Sequence, residues 1–294
     1  MLDISGLKQR AKLIQAIRSF FVLHSYLEVD TPVRLPCLLP EAHIEPETSE
    51  TWYLQTSPEI CMKRLLAAGI PKIFQICKCF RRHERGNRHL PELTMLEWYR
   101  LDNDYHDLMV ECEKLFLFLA NELNMAPAGC NLDSPWQRLT VAEAFALYAE
   151  IPLSQALAGD FFDEILVRDI EPNLGQKRPT FLYDYPAELA SLSRLKSTDP
   201  AVSERFELYI NGLELANGFS ELTDPLEQRT RFKKELRLAR SLGRATQAMP
   251  ELFLRDLGRI DKAAGIALGI DRLVMTFFGA KRIDEVVAFV PEEL

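Results

Sequence analysis

Residues 206–216 read FELYI, Asn211, Gly212, LELA, two runs of alternating side chains joined by a two-residue turn signal. Asn-Gly most readily takes the two left-handed backbone positions of a tight hairpin, so these runs are predicted to fold back on each other as antiparallel strands. Strand alternation then sorts the side chains. Pairing Tyr209 with Glu214 and Glu207 with Ala216 puts both glutamates on one face and Leu208, Ile210, Leu213 and Leu215 on the other. Adjacent carboxylates repel, and a divalent cation or a cationic ligand between them relieves the repulsion. A half-solvated antiparallel sheet alternates in the same way without any ligand, and the hairpin taken alone favours that plainer reading.

The rest of the chain supplies an α+β set of elements around the hairpin. Ser5 is placed to cap a helix whose apolar positions Leu7, Ala11, Ile14, Ile17 and Phe21 recur at helical spacing, and residues 26–33 follow as an extended segment interrupted by Pro32. Ser57-Pro58-Glu59 has the form of a helix start, with Ser57 as cap, Pro58 in the first position and Gly69 closing the helix. Residues 72–81 alternate, Phe74, Ile76 and Phe80 on one side and Gln75, Cys77, Cys79 and Arg81 on the other. A basic loop carries Arg81, Arg82, His83, Arg85, Arg88 and His89. The strand pattern then resumes over 93–99, with Leu93, Met95, Glu97 and Tyr99 sharing a face. Helices are predicted over 104–123 and 140–149, a short strand over 181–186, and a glycine-bearing strand from Ala264 feeding a helix near Asp271. Without a repeat or a linker-like stretch, residues 1–294 read as one domain.

Composition removes several function classes. With 35 basic against 43 acidic side chains, a formal charge of −8 works against broad, sequence-independent attraction to nucleic acid, and any such contact must be local. No apolar run approaches the roughly 20 residues that span a bilayer, and the first residues lack an apolar signal core, so a cytosolic protein is expected. The six scattered cysteines read as reduced thiols. Cys77-x-Cys79 without a second pair is weak ground for zinc.

Four segments then converge. Tyr26-Leu27-Glu28-Val29-Asp30-Thr31-Pro32, FRRHERGNRHLPELTMLEWY from Phe80, FELYINGLELANGFSEL from Phe206, and GIALGIDRLVM from Gly265 stand in the order of the class II aminoacyl-tRNA synthetase motifs and resemble lysyl-tRNA synthetase. The resemblance implies a catalytic domain built on an antiparallel sheet flanked by helices, with ATP and Mg2+ as cofactors. Position by position, it implies that Arg81 and Arg272 are the catalytic arginines, Arg81 on the α-phosphate and Arg272 over the adenine and at the γ-phosphate. His89 would hold the outer phosphates, and Arg82, His83, Leu90, Leu93, Leu208 and Gly269 would complete the ATP site. Glu207 and Glu214 match the magnesium ligands, which turns the hairpin argument toward a metal. Ser57, Pro58 and Glu59 match the segment that holds the α-amino group. Glu97, Tyr99, Glu214, Asn217, Phe219, Glu221 and Ala267 match the pocket of a lysine-like amino acid. Strict alternation would put Asn217, Phe219 and Glu221 opposite Glu207 and Glu214, so a bulge is predicted over 216–218.

The chain begins at the catalytic helix, so no anticodon-binding domain is expected. That, with the TMLEWYR and ELANGF strings, resembles the family of elongation factor P–(R)-β-lysine ligases, in which elongation factor P is the acceptor. Ala267 stands where lysyl-tRNA synthetases usually have glycine. Two departures stand out: His83 in place of the second motif's glutamate, with Glu84 one place later and so on the other side of an extended strand, and Leu93 in place of the phenylalanine that stacks on adenine. The motif at residues 26–32 implies a homodimer. The alternatives are a ligase of the same chemistry with another acceptor, and a non-catalytic synthetase-like subunit.

Overall fold

The computed structural model describes residues 2–244 and 247–294. Among them nine strands form one sheet: β1 (Leu27–Glu28), β2 (Lys72–Phe80), β3 (Glu92–Leu101), β4 (Gln137–Thr140), β5 (Thr180–Pro186), β6 (Leu195–Lys196), β7 (Asp199–Ile210), β8 (Leu213–Ser220) and β9 (Ala263–Gly269). The spatial order is β1-β2-β3-β9-β8-β7-β5-β4, with β6 paired to β7. All pairings are antiparallel except β1 with β2 and β4 with β5. This is the α+β architecture expected.

The main helices are α1 (Ile4–Leu23), α2 (Glu59–Ala67), α3 (Tyr105–Leu123), α4 (Val141–Tyr148), α5 (Pro225–Ser241), α6 (Glu251–Leu257) and α7 (Ile270–Phe278). Helices α1, α3 and α7 bury their apolar stripes behind the sheet. There Phe20, Phe21, Leu108, Cys112, Phe116 and Leu273 meet Phe74, Leu96, Trp98, Phe206, Leu208, Ile266 and Leu268. Helices α2, α5 and α6 cover one end of the other face through Ile60, Leu66, Phe232, Phe253 and Leu257. The middle of that face stays open, and the site lies there. Among the described residues no helix is long and apolar enough to cross a membrane.

Several local expectations change. The first helix is capped by Asp3, whose carboxylate accepts from Gly6 N at 2.7 Å, so Ser5 already lies inside the helix. Its core stripe is Leu13, Ala16, Ile17, Phe20 and Phe21, while Leu7 and Ala11 are exposed, because the first two turns of the helix extend past the core. Helix α2 begins one residue later than predicted: Pro58 is the cap and makes no side-chain bond, Ser57 precedes it, and Gly69 at φ +96° ends the turn that follows.

The hairpin forms with Asn211 at φ 53° and Gly212 at φ 67°, both left-handed as a type I′ turn demands. Tyr209 pairs with Glu214 as expected, but Glu207 pairs with Asn217 and not with Ala216. The bulge lies at Glu214–Leu215–Ala216, where β8 advances two residues against the single step from Leu208 to Tyr209, so it falls earlier than the 216–218 predicted. Leu215 and Ala216 both turn into the core behind the sheet, which leaves Glu207, Glu214, Asn217 and Phe219 on the open face. Parity is restored by the bulge.

Candidate active site

Strand register lines up one row across the open face. Gln75 of β2 pairs with Glu97, Glu97 with Ala267, Ala267 with Asn217, and Asn217 with Glu207. One step along, Tyr99 pairs with Gly265 and Gly265 with Phe219. Gly265 has no room for more: a Cβ there would meet the Tyr99 ring at 2.2 Å and Glu221 Oε1 at 2.5 Å. The floor of the pocket is therefore backbone, with Tyr99 and Glu221 closing on it.

At this end the charges are buried. Glu59, Glu97 and Glu221 are 8%, 1% and 1% exposed, and Tyr99 Oη donates to Glu97 Oε2 at 2.8 Å. Between them lies Lys63, which the motifs did not point to. Its ammonium is 2.5 Å from Glu59 Oε1, in direct contact with Glu221 Oε2, and 5.2 Å above the Phe219 ring. These contacts pair charge with charge off the hydrogen-bonding direction, because Lys63 Nζ, Glu59 Oε1 and both Glu221 oxygens have no aligned partner. Burial works against the Lys63 charge, but Glu221 and Glu59 more than reverse that and keep it protonated. Three carboxylates still exceed one ammonium. Burial and then Glu59 push Glu97 well above the carboxylate range, and burial lifts Glu221 to about 8 against the pull of Lys63. The pocket is short of positive charge and of hydrogen-bond donors. Lys63 lies four residues after Glu59 on one helix, and that spacing was the signal that could have found it.

The opposite end carries the arginines. Asp271, at the start of α7, accepts from Arg10 at 2.6 Å and from Thr94 N at 2.7 Å, and so fixes the helix start with the next residue, Arg272, turned to the site. Arg272 donates to Glu214 O at 2.8 Å, lies 3.2 Å from Glu214 Oε2, and meets His89 Nε2 at 2.5 Å. Burial, then Arg272, lowers the pKa of His89, which suits a neutral ring accepting from the guanidinium. Arg81 Nε is buried without an acceptor. A cationic donor in that state is half of an anion site.

Beside these arginines stand the hairpin carboxylates. Glu207 accepts from Arg205 Nη2 at 2.7 Å and from Tyr209 Oη at 2.6 Å, and Tyr209 Oη lies 3.3 Å from Glu171 Oε1. Burial, then Glu214, raises Glu207, while burial with Glu214 and Glu207 lifts Glu171 to about 7. The buried Tyr185 hydroxyl stands next to Glu207 without a well-aligned bond to it. Among the described residues no three His, Cys, Asp or Glu side chains could hold a metal unaided. Arg205 and Tyr209 were legible as neighbours of Glu207 two residues away on one strand face. Glu171 had no signal, since it comes from a distant turn.

Some predicted site residues do not join the group. Leu90 and Leu208 are buried in the core behind the sheet, so only their main chain faces a ligand. Arg82 and His83 turn to Glu45, at 3.3 and 3.9 Å. The expectation for Glu84 was wrong: β2 ends at Phe80, His83 takes φ 64° in the turn that follows, and Glu84 Oε2 comes back to 3.9 Å from Arg81. Alternation does not extend through a turn. Leu93 pairs with Cys79 on the open face, and Gly269 heads α7 beside Arg272. All six cysteines are free.

The profile of the class II tRNA synthetases (D, K and N) matches residues 4–293. A protein of Mannheimia succiniciproducens named elongation factor P–(R)-β-lysine ligase is 40% identical, the match covering 97% of this chain and 95% of that protein. Proteins of the same name from Histophilus somni and Vibrio cholerae are 40% and 38% identical over 98% of this chain and 95% of theirs. With near-complete coverage in both directions and the four motifs assembled on one sheet, the chain belongs to the class II synthetases of the D, K and N type, in the family of elongation factor P–(R)-β-lysine ligases.

Proposed function

We propose that this protein uses ATP to convert (R)-β-lysine to its adenylate and transfers the activated residue to a lysine ε-amine of elongation factor P. The supporting observation is the buried cluster of Glu59, Glu97 and Glu221, an excess of carboxylate that fits a substrate with two ammonium groups. Glu97, Tyr99 and Glu221 would take the terminal ammonium. Asn217, Phe219 and Ala267 would line the aliphatic chain, and Ser57, Pro58 and Glu59 the end bearing the second amine.

In the first step an oxygen of the substrate carboxylate attacks the α-phosphorus of ATP and the bond to pyrophosphate breaks. Arg81 and Arg272 would neutralise charge on the phosphates as it redistributes, with His89 holding the outer ones. In the second step the neutral acceptor amine attacks the acyl carbon, AMP leaves, and a proton is released. No side chain becomes covalent, so placement of the reactants carries the rate. Magnesium suits the Glu207–Glu214 pair: Glu214 adds to the rise that burial gives Glu207, a cation would relieve that repulsion, and this metal is usually held by one or two carboxylates with the substrate phosphates completing its shell. Bound there, it would screen the triphosphate.

The same reading takes residues 1–294 as one catalytic domain and the protein as a homodimer. The edge strand β1 and the end of α1 expose Val22, Leu23 and Leu27, an apolar border that a second copy would cover. Light scattering that found monomer alone at micromolar concentration would refute the dimer.

Amino-acid-dependent pyrophosphate exchange with (R)-β-lysine and α-lysine, followed by the mass of elongation factor P after incubation, tests the reaction. Exchange favouring β-lysine and a mass gain of one residue are expected. Absence of exchange with both amino acids overturns the reading.

A further inference from the structure

A strap over residues 38–42 packs against α2 through Leu38 and Leu39 and is pinned from one side. Leu38 N donates to Gln247 Oε1 at 2.6 Å and Gln247 Nε2 to Leu39 O at 3.1 Å. Ala42 N donates to Glu235 Oε2 at 2.8 Å, and the Arg244 guanidinium donates to Ala42 O. Four bonds fix the main chain of a segment with no regular structure, and so fix where Glu41 stands. Its carboxylate, half-buried, forms no hydrogen bond or ion pair among the described residues, yet it faces a cavity shared with Tyr53, Arg82 and Glu235.

The packing of the strap locates Glu41: Leu38 and Leu39 join Ile60 and Met62 of α2 in one apolar cluster, and a few residues on Glu45 O accepts from Arg82 N at 2.7 Å, next to Arg81. Glu59 and Lys63 of α2, Arg81 after β2 and Glu235 of α5 are the groups that bear on it, and burial with Glu59 lifts its carboxyl to about 7. Glu41 thus lies between the start of α2 and Arg81. In the proposed reaction that interval holds the substrate's carboxylate end and the amine nearest to it. Glu59 is buried and already paired with Lys63, and Oε1 of that pair has no aligned donor. Gln75, 2% exposed on the same face, also has its Nε2 without an acceptor. Groups left open in this way point to a ligand. Glu97 and Glu221 are committed to the far end of the pocket. Glu41 is the nearby carboxylate with no cation of its own.

We propose that Glu41, held by the strap, receives the substrate's second ammonium, the one nearer the reacting carboxylate, and thereby makes the enzyme require a diamino acid. The proposal rests on the functional reading above and adds a residue to it. Both ammonium groups of the substrate then have a carboxylate partner that Lys63 does not already share.

Pyrophosphate exchange with (R)-β-lysine and with 6-aminohexanoate separates the two ideas, because the second compound keeps the chain length, carboxylate and terminal amine and lacks only the other amine. In the unaltered enzyme kcat/KM should strongly favour β-lysine. Glu41→Gln should shrink that preference about 10- to 100-fold, the range for a lost charge-assisted hydrogen bond, chiefly through KM for β-lysine. Glu41→Asp should recover part of it and serves if the glutamine variant folds poorly. A preference unchanged in both variants overturns the proposal, whether or not overall activity falls, since a purely structural role of the strap would lower both substrates alike. If the unaltered enzyme exchanges with neither compound, the functional reading fails and this proposal with it.

Discussion

The two ends of the site solve the same problem differently. At the pocket end the charged groups are buried, held by strand register and the start of α2, and a built-in cation, Lys63, offsets part of the carboxylate excess. At the phosphate end Arg272 stands more open and is satisfied by neighbours it would share with a ligand: Glu214, and His89 at the rim. Buried charges must be paired in the empty protein, because water cannot do it. Partly exposed ones can wait in provisional pairs, since the groups they release are rehydrated. In the proposed reaction the pocket end would therefore carry stability as well as specificity, while the arginine end would serve the chemistry.

The sharpest break in that comparison is Lys63→Met. Removing one partner of a buried pair typically costs about 3–5 kcal/mol, and the low end is expected here because Glu221 can take up a proton. Urea denaturation checks this, and added diamino acid should restore more stability to the variant than to the unaltered protein. An unchanged unfolding midpoint would mean that Lys63 is not a structural counter-ion.

The reverse pattern is expected for Arg81→Ala and Arg272→Ala. Adenylate formation should fall by at least about 10²–10³-fold, as for loss of a preorganised charge at the reacting centre, while the unfolding midpoint barely moves. A folded variant with the original exchange rate would remove that arginine from the chemistry. Glu207→Gln should instead move the magnesium concentration needed for half-maximal exchange.

Within the pocket, Ala267 stands in the row between Glu97 and Asn217. In the proposed reading a methyl there would take space that the α-amino group of lysine needs, whereas in β-lysine the amine lies one carbon further on. Ala267→Gly should raise activity on α-lysine relative to (R)-β-lysine by about ten- to two-hundred-fold, the usual effect of one methyl. Equal ratios in both forms would show that selectivity lies elsewhere.

The smallest expected effect is on pH. Glu41 and Glu221 stand at about 7 and about 8, raised from the ordinary 4.5 by burial, with Glu59 adding to the rise and Lys63 opposing it in both, and at Glu41 Arg81 opposing and Glu235 adding to it as well. A carboxyl raised on folding stabilises the empty protein fully below about 4.5, and that contribution is lost as pH rises through 7–8. An ammonium ligand favours the ionised forms, so binding should release protons and tighten from pH 6 to 8.5. Thermal shifts with and without the diamino acid, measured across this range, check the sign. Weaker binding at higher pH would mean both groups are ionised in the empty site.

Much of the site was legible because it lies on regular elements. Strand alternation is enough to put Glu97 with Tyr99, and the Asn211-Gly212 turn is enough to bring Glu207 near Glu214. Where regularity stops, so does the legibility. The bulge came at 214–216, Glu84 returned to Arg81 through a turn, and Leu90 and Leu208 faced the core. A one-residue slip reverses a strand's faces, and sequence alone fixes such slips poorly.

The sequence by itself determined which chemistry the chain holds: local turn rules, strand periodicity and ordered motifs depend on neighbours a few residues apart. Only the tertiary structure decided which charges share a pocket. Lys63 meets Glu221 from 158 positions away in the chain, and the strap bearing Glu41 is fixed by Glu235, Arg244 and Gln247. Those contacts depend on how sheet and helices pack, and burial, which sets the energy of each charge, exists only once they have packed.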